Sequence, residues 1–136
     1  MKKRILVISP HPDDESLGLG GTILKSVSEG HDIFVLTVSG HLPPLYSKED
    51  YDRTVKESYK AFEILGVKNS SFLEIPATMI GEQPIHELNN KIITVMKDYK
   101  PNIVYCPFPD RHIDHQLIFQ SSMVATRPVN VGLNIE

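Results

Sequence analysis

Two short polar clusters hold the residues of this chain whose types and spacing could do chemistry. His11-Pro12-Asp13-Asp14-Glu15 sets an imidazole and three carboxylates directly after the apolar run Ile5-Leu6-Val7-Ile8. Asp110-Arg111-His112-Ile113-Asp114-His115 follows a second apolar run, Ile103-Val104-Tyr105-Cys106. Each cluster sits where the carboxyl end of a buried strand would deliver it, which is where open α/β sheets keep their active sites. An imidazole and a carboxylate from the first loop plus an imidazole from the second make a His-Asp-His donor set. Such a set suits Zn²⁺ or another borderline divalent ion such as Fe²⁺, and leaves positions open for water, as catalysis requires. Asp13 and Asp14 are adjacent and point differently, so one can ligate while the other stays free as a base. His112 and His115, three apart at a helix start, can face one cleft, and only one of them is needed for the metal.

Positioning those clusters is the task of the apolar segments. Runs rich in Val, Ile, Leu and Phe predict strands near Arg4–Ser9, Asp32–Val38, Ser71–Ile75 and Asn102–Cys106. Amphipathic stretches between them predict helices over about Leu17–Glu29, Lys48–Leu65, Pro84–Lys100 and His112–Thr126, the first two closed by Gly30 and Gly66 and the third opened by Pro84. Val55, Tyr59, Phe62 and Leu65 keep a helical spacing, as do Leu88, Ile92, Val95 and Met96. Strands alternating with helices give a Rossmann-like three-layer αβα fold with a mostly parallel sheet. Right-handed crossovers favour the strand order 3-2-1-4, which lays the first and fourth strands side by side and brings both clusters together.

The 136 residues suffice for one domain, expected over 1–136, with a real core. A net charge of -3 without a basic stripe excludes ordinary nucleic-acid binding. No apolar run approaches the roughly 20 residues of a membrane span. Met1-Lys2-Lys3-Arg4 looks like the start of a signal peptide, but the apolar run after it stops at Pro10. The single cysteine, Cys106, excludes an internal disulfide and fits a reducing cytoplasm; it is expected as a buried strand residue.

With these motifs in view, the chain resembles the PIG-L (LmbE-like) family of zinc-dependent N-acetylglucosamine deacetylases. The resemblance is carried by His11-Pro12-Asp13-Asp14-Glu15, Gly18-Leu19-Gly20-Gly21-Thr22, Glu57 and Ala61 before Ile64-Leu65-Gly66-Val67, and Pro109-Asp110-Arg111-His112-Ile113-Asp114-His115. It implies His11, Asp14 and His115 as metal ligands, Asp13 as general base, His112 in protonated form as the group stabilising the oxyanion, and Asp114 as support for the histidine and the metal's electrostatics. The implied reaction is hydrolysis of the N-acetyl group of an N-acetylglucosamine-containing small molecule or glycoconjugate, giving acetate and a free amine. Family members are usually longer, so the chain is expected to be truncated after Ala125-Thr126-Arg127-Pro128, leaving the fourth strand as an open edge that a homo-oligomer would cover.

Plainer readings stand beside these. The first cluster could be a helix cap, although capping needs only one such residue. The stretch Gly18–Gly21 departs from a dinucleotide fingerprint and follows an acidic loop, so close helix packing is expected of it. His31 and His86 read as strand-edge and solvated helix residues, while His41, in the loop after the second strand, lies near the cleft edge. Rival functions are a different metal hydrolase such as a phosphoesterase, or a metal-binding module without catalysis.

Overall fold

Residues Arg4–Ser9 form β1, and its side chains alternate between two faces of a sheet, as a strand's period of two requires. The computed structural model describes residues 1–131 of the chain, so residues 132–136 of the domain expected over 1–136 lie outside the described residues. Along the chain follow α1 (Asp14–Ser28), β2 (Asp32–Gly40), α2 (Lys48–Leu65), β3 (Asn69–Pro76), a 3₁₀ turn (Ile80–Glu82), α3 (Ile85–Tyr99), β4 (Ile103–Tyr105), α4 (Ile113–Ala125) and the short α5 (Pro128–Val131). All four strands are parallel, in the order β3-β2-β1-β4.

Both faces of the sheet are covered. On one, Leu6, Ile8, Leu36 and Val38 pack against Leu88, Ile92 and Met96 of α3 and Ile118 and Ala125 of α4. On the other, Ile5, Val7, Ile33 and Val35 meet Ile23 of α1 and Phe62 of α2. Two opposite faces need apolar cover, which is why β1 and β2 read as continuous apolar runs rather than alternating ones. Burying each such aliphatic side chain contributes about 1.5–3 kcal/mol. Among the described residues no helix is long and apolar enough to cross a membrane.

Several boundaries differ from those expected. Helix α1 starts at Asp14 rather than Leu17, because the Asp13 carbonyl already accepts the Ser16 and Leu17 amides at 3.0 and 2.9 Å. The acidic motif is therefore the first turn of the helix, where negative charge complements the helix dipole. Pro84 caps α3 from outside instead of occupying its first turn. In α2 the buried stripe is Tyr51, Ser58 and Phe62, whereas Tyr59 is exposed. Strand β4 ends at Tyr105, which leaves Cys106 in the following loop, half-buried, with its thiol pKa raised by burial. The close packing expected of Gly18–Gly21 is absent: a methyl group added at Gly18 or Gly21 would meet nothing within 4 Å, and at Gly20 only Leu65 at 4.0 Å. Gly66 does require its glycine, with a left-handed φ of 75° and Val27 2.8 Å from the place of a Cβ.

Adjacency of β1 and β4 creates the point at which the sheet order reverses. Val7 pairs with Tyr105, so the segments leaving both strands emerge side by side at the carboxyl edge. The fold thus delivers residues 10–15 and 106–115 to one place, as the strand order 3-2-1-4 predicts.

Candidate metal centre

His11 stands in the turn between β1 and α1. Its backbone amide donates to Asp14 Oδ2 at 3.0 Å, and its carbonyl accepts the Asp13 amide at 2.8 Å. Beneath this turn lies Glu15, 2% exposed, with Ser16 Oγ donating to its Oε1 at 2.9 Å. Ser9 Oγ is 2.7 Å from the His11 carbonyl oxygen and 2.8 Å from Glu15 Oε2, and one hydroxyl proton cannot serve both. Ser9 Oγ in turn accepts the Glu15 amide at 3.2 Å, and burial raises the Glu15 pKa. Glu15 is thus the floor of the loop, a role its exposed-looking sequence context did not reveal.

Three ligand atoms face a common point. Asp14 Oδ2 lies 3.2 Å from His11 Nδ1 and 3.4 Å from His115 Nε2. Donors about 2.0–2.1 Å from a tetrahedral zinc are separated by about 3.3 Å, so these spacings already match the edges of such a site. Each imidazole is held by its other nitrogen. His11 Nε2 donates to Asp114 Oδ2 at 2.8 Å, and His115 Nδ1 donates to Asp110 Oδ2 at 2.9 Å. Those bonds leave His11 Nδ1 and His115 Nε2 to face Asp14, the arrangement by which carboxylates orient metal-binding histidines. The alternative grouping of His11, His112 and Asp114 also lies within ligand range. It would break the 2.8 Å bond between His11 and a fully buried Asp114, so His11, Asp14 and His115 are the better ligand set.

The electrostatics agree. Burial opposes a charged His11, yet hydrogen bonds and charges from Asp114 and Asp14 outweigh it and raise its pKa from 6.5 to about 9. Burial likewise opposes ionisation of Asp14 and Asp114, and the bonds and charges of the histidines lower both carboxyls below their ordinary value. An imidazolium between two carboxylates marks a place that stabilises positive charge, and a divalent ion there would replace the Nδ1 proton.

Asp13 and His112 flank the ligands. Asp13 occupies the cap position of α1 but its carboxylate makes no capping bond, which leaves it exposed toward the cleft. His112 caps α4: its Nδ1 accepts the Asp114 amide at 3.1 Å, and its own amide donates to Asp110 Oδ1 at 2.8 Å. With Nδ1 an acceptor, Nε2 is the ring nitrogen left to carry a proton, so it can donate to an oxyanion. Its ring lies 4.7 Å from that of His11, edge-on. Asp114 is fully buried and cannot touch a substrate; it is a positioning residue for His11.

The structure therefore brings together all six expected residues and adds two that sequence reasoning passed over. Asp110 supports both His112 and His115, and its carbonyl also accepts Gln116 Nε2 at 2.6 Å. Only its place in the second cluster hinted at this. The Thr78 amide donates to Asp114 Oδ2 at 2.8 Å from a left-handed backbone, φ 65°, unusual for a β-branched residue, and no sequence signal marks it. A cleft of ≈ 210 Å³ is lined by His11, Asp13, His41, Tyr46, Thr78 and His112, among others. A second cavity of ≈ 280 Å³ touches Asp14 and His115 from the β4 side.

Comparison with known proteins bears on this site. The family model described as PIG-L, GlcNAc-PI de-N-acetylase, matches residues 6–126. Diacetylchitobiose deacetylase of Thermococcus kodakarensis is 36% identical over 130 residues, covering 84% of this chain and 45% of that protein. The structure of N,N′-diacetylchitobiose deacetylase from Pyrococcus horikoshii superposes with a TM-score of 0.80 at 27% identity, covering 90% of this chain and 49% of that one. The zinc-inhibited form of teicoplanin deacetylase Orf2 shares the fold, with a TM-score of 0.78 at 21% identity over 94% of this chain and 65% of that one. The chain spans about half the length of the two diacetylchitobiose deacetylases. Because the matched stretch runs from β1 through α4 and takes in every residue of the candidate metal centre, the chain belongs to the PIG-L (LmbE-like) deacetylase family.

Proposed function

We propose that this protein removes the N-acetyl group from an N-acetylglucosamine-containing small molecule or glycoconjugate by metal-dependent hydrolysis. The observation that carries the reading is the spacing of His11 Nδ1, Asp14 Oδ2 and His115 Nε2, at 3.2 and 3.4 Å, beside the uncommitted carboxylate of Asp13. Zinc would be held by His11, Asp14 and His115, where it would supply Lewis acidity to the attacking water and the acetamide carbonyl.

The chain's own groups do the rest. Asp13 takes a proton from the attacking water as the new C–O bond forms at the carbonyl carbon. His112 Nε2–H donates to the oxyanion of the tetrahedral intermediate. Asp13 then returns the proton to the amine nitrogen as the C–N bond breaks, so water and acetamide become free amine and acetic acid, which releases its remaining proton to solvent as acetate. Asp114 and Asp110 keep the imidazoles of His11 and His115 turned toward Asp14 throughout.

The test is release of free amine from N-acetylglucosamine derivatives by zinc-reconstituted protein. Activity abolished by chelation, and lowered by about 10²–10⁴ in Asp13→Ala with zinc retained, is the expected result. His112→Ala should lower kcat by about 10²–10³. A zinc-loaded protein that releases no amine from any acetamido sugar, or that cleaves phosphate esters instead, overturns the reading.

A further inference from the structure

The cleft that His11, Asp13 and His112 share has a wall that the reaction itself does not use. His41 and Tyr46 come from the loop between β2 and α2, and their rings stack with centroids 4.1 Å apart and planes 22° apart. Tyr46 remains 44% exposed despite this contact, and both residues line the same cleft as Asp13 and His112. An aromatic face open to water with polar groups in the same cleft suits a ligand with one apolar face and a hydroxylated rim, which is the shape of a pyranose.

Charge sharpens the choice. Among the described residues no lysine or arginine lines this cleft. The nearby cations of α2 are committed elsewhere: Lys48 pairs with Asp52 and Arg53 with Asp50, each at 2.6 Å. Where α2 does reach the cleft it contributes Thr54, whose hydroxyl donates to the Asp50 carbonyl at 2.8 Å. Sites that recognise phosphate or carboxylate place arginine, lysine or a helix N-terminus against the anion. Here the free carboxylate of Asp13 would oppose one.

We propose that the His41–Tyr46 pair is the sugar-binding wall of the site and that the cleft selects an uncharged acetamido sugar over a phosphorylated one. This rests on the deacetylase reading and narrows its substrate class. Tyr46 acts on binding, so Tyr46→Ala should raise KM for methyl N-acetylglucosaminide about three- to tenfold, with kcat within about twofold. The wild-type protein should show kcat/KM at least about tenfold higher for that sugar than for N-acetylglucosamine 6-phosphate. Thr54→Lys, which brings a cation into the cleft, should narrow the gap, while Arg53→Ala should leave it unchanged.

Binding is read separately, by saturation-transfer NMR of the same two sugars on metal-free protein. Binding of the neutral sugar weakened by Tyr46→Ala, without amine release after zinc is added, supports the wall and overturns the deacetylase reading. Amine release that needs Asp13 but is indifferent to Tyr46, or equal for both sugars, overturns the wall and leaves the deacetylase reading standing. Binding of neither sugar overturns the proposal.

Discussion

Replacing Asp114 by asparagine isolates what one buried negative charge does for the metal centre. Asp114 Oδ2 accepts His11 Nε2 and the Thr78 amide, each at 2.8 Å, while Oδ1 makes no hydrogen bond among the described residues. An asparagine therefore keeps both bonds through its carbonyl oxygen and sets its NH₂ where Oδ1 was. Shape and contacts persist and the charge goes. The rise of His11 from 6.5 to about 9 corresponds to roughly 3 kcal/mol of net preference for the imidazolium, exerted against burial by Asp114 and Asp14 together. Burial is unchanged by the substitution, so losing Asp114's share should lower the His11 pKa by about 1–2 units. Zinc affinity should fall roughly 10–100-fold, the usual effect of removing a carboxylate that orients a metal-bound histidine.

Two measurements check this. Histidine-ring NMR on metal-free protein follows the His11 midpoint. Chelator competition gives the zinc Kd, best taken above pH 9, where a proton no longer competes for His11 Nδ1 in either protein. Near neutral pH the variant's weaker proton competition offsets part of its loss, so the difference between the two proteins should shrink. An unmoved His11 midpoint together with a zinc Kd within about twofold of wild type, in a variant that melts normally, would refute the argument that Asp114 acts through its charge.

Other expectations follow from the same geometry. Without metal, His11 contributes stability that is full below pH 6.5 and lost as pH rises through about 9, while Asp14 and Asp114 contribute stability present above pH 3.8 and lost as pH falls through their lowered values. Glu15, raised by burial, likewise contributes stability that is lost as pH rises above 4.5, so the metal-free Tm should be higher at about pH 5.5 than at about pH 9.5 by calorimetry, and zinc should flatten the alkaline limb. Asp110→Ala releases His115 Nδ1 and should weaken zinc binding about 10–100-fold, with little effect on the His11 midpoint. Ile92→Ala, at a position with no solvent exposure between α3 and the sheet, should cost about 2–5 kcal/mol in chemical denaturation while the metal-binding residues stay unchanged.

How much of this was legible beforehand differs from residue to residue. The apolar runs Ile5–Ile8 and Ile33–Val38 could only be strands buried on both faces, and their alternation with amphipathic stretches left a parallel sheet as the economical solution. From that topology alone His11, Asp13 and Asp14 had to come within reach of His112 and His115, because a strand order of 3-2-1-4 makes neighbours of the loops that carry them. Spacing and residue type are properties of the chain itself, and they determined the fold class and a His-Asp-His type of donor set, leaving open which aspartate and which histidine belong to it.

Tertiary structure decided which nitrogen each histidine offers and what holds it there. Asp110 and Asp114 look alike in the second cluster, yet one supports His115 and the other His11, a division set by the first turn of α4 and the packing of Asp114 beneath His11. Thr78's amide, the proton on His112 Nε2 and the stacked wall of His41 and Tyr46 depend on backbone dihedrals and on contacts between segments distant in the chain. Sequence pattern reports periodicity and side-chain chemistry; hydrogen-bond direction and tautomer are fixed only when the partners have come into place.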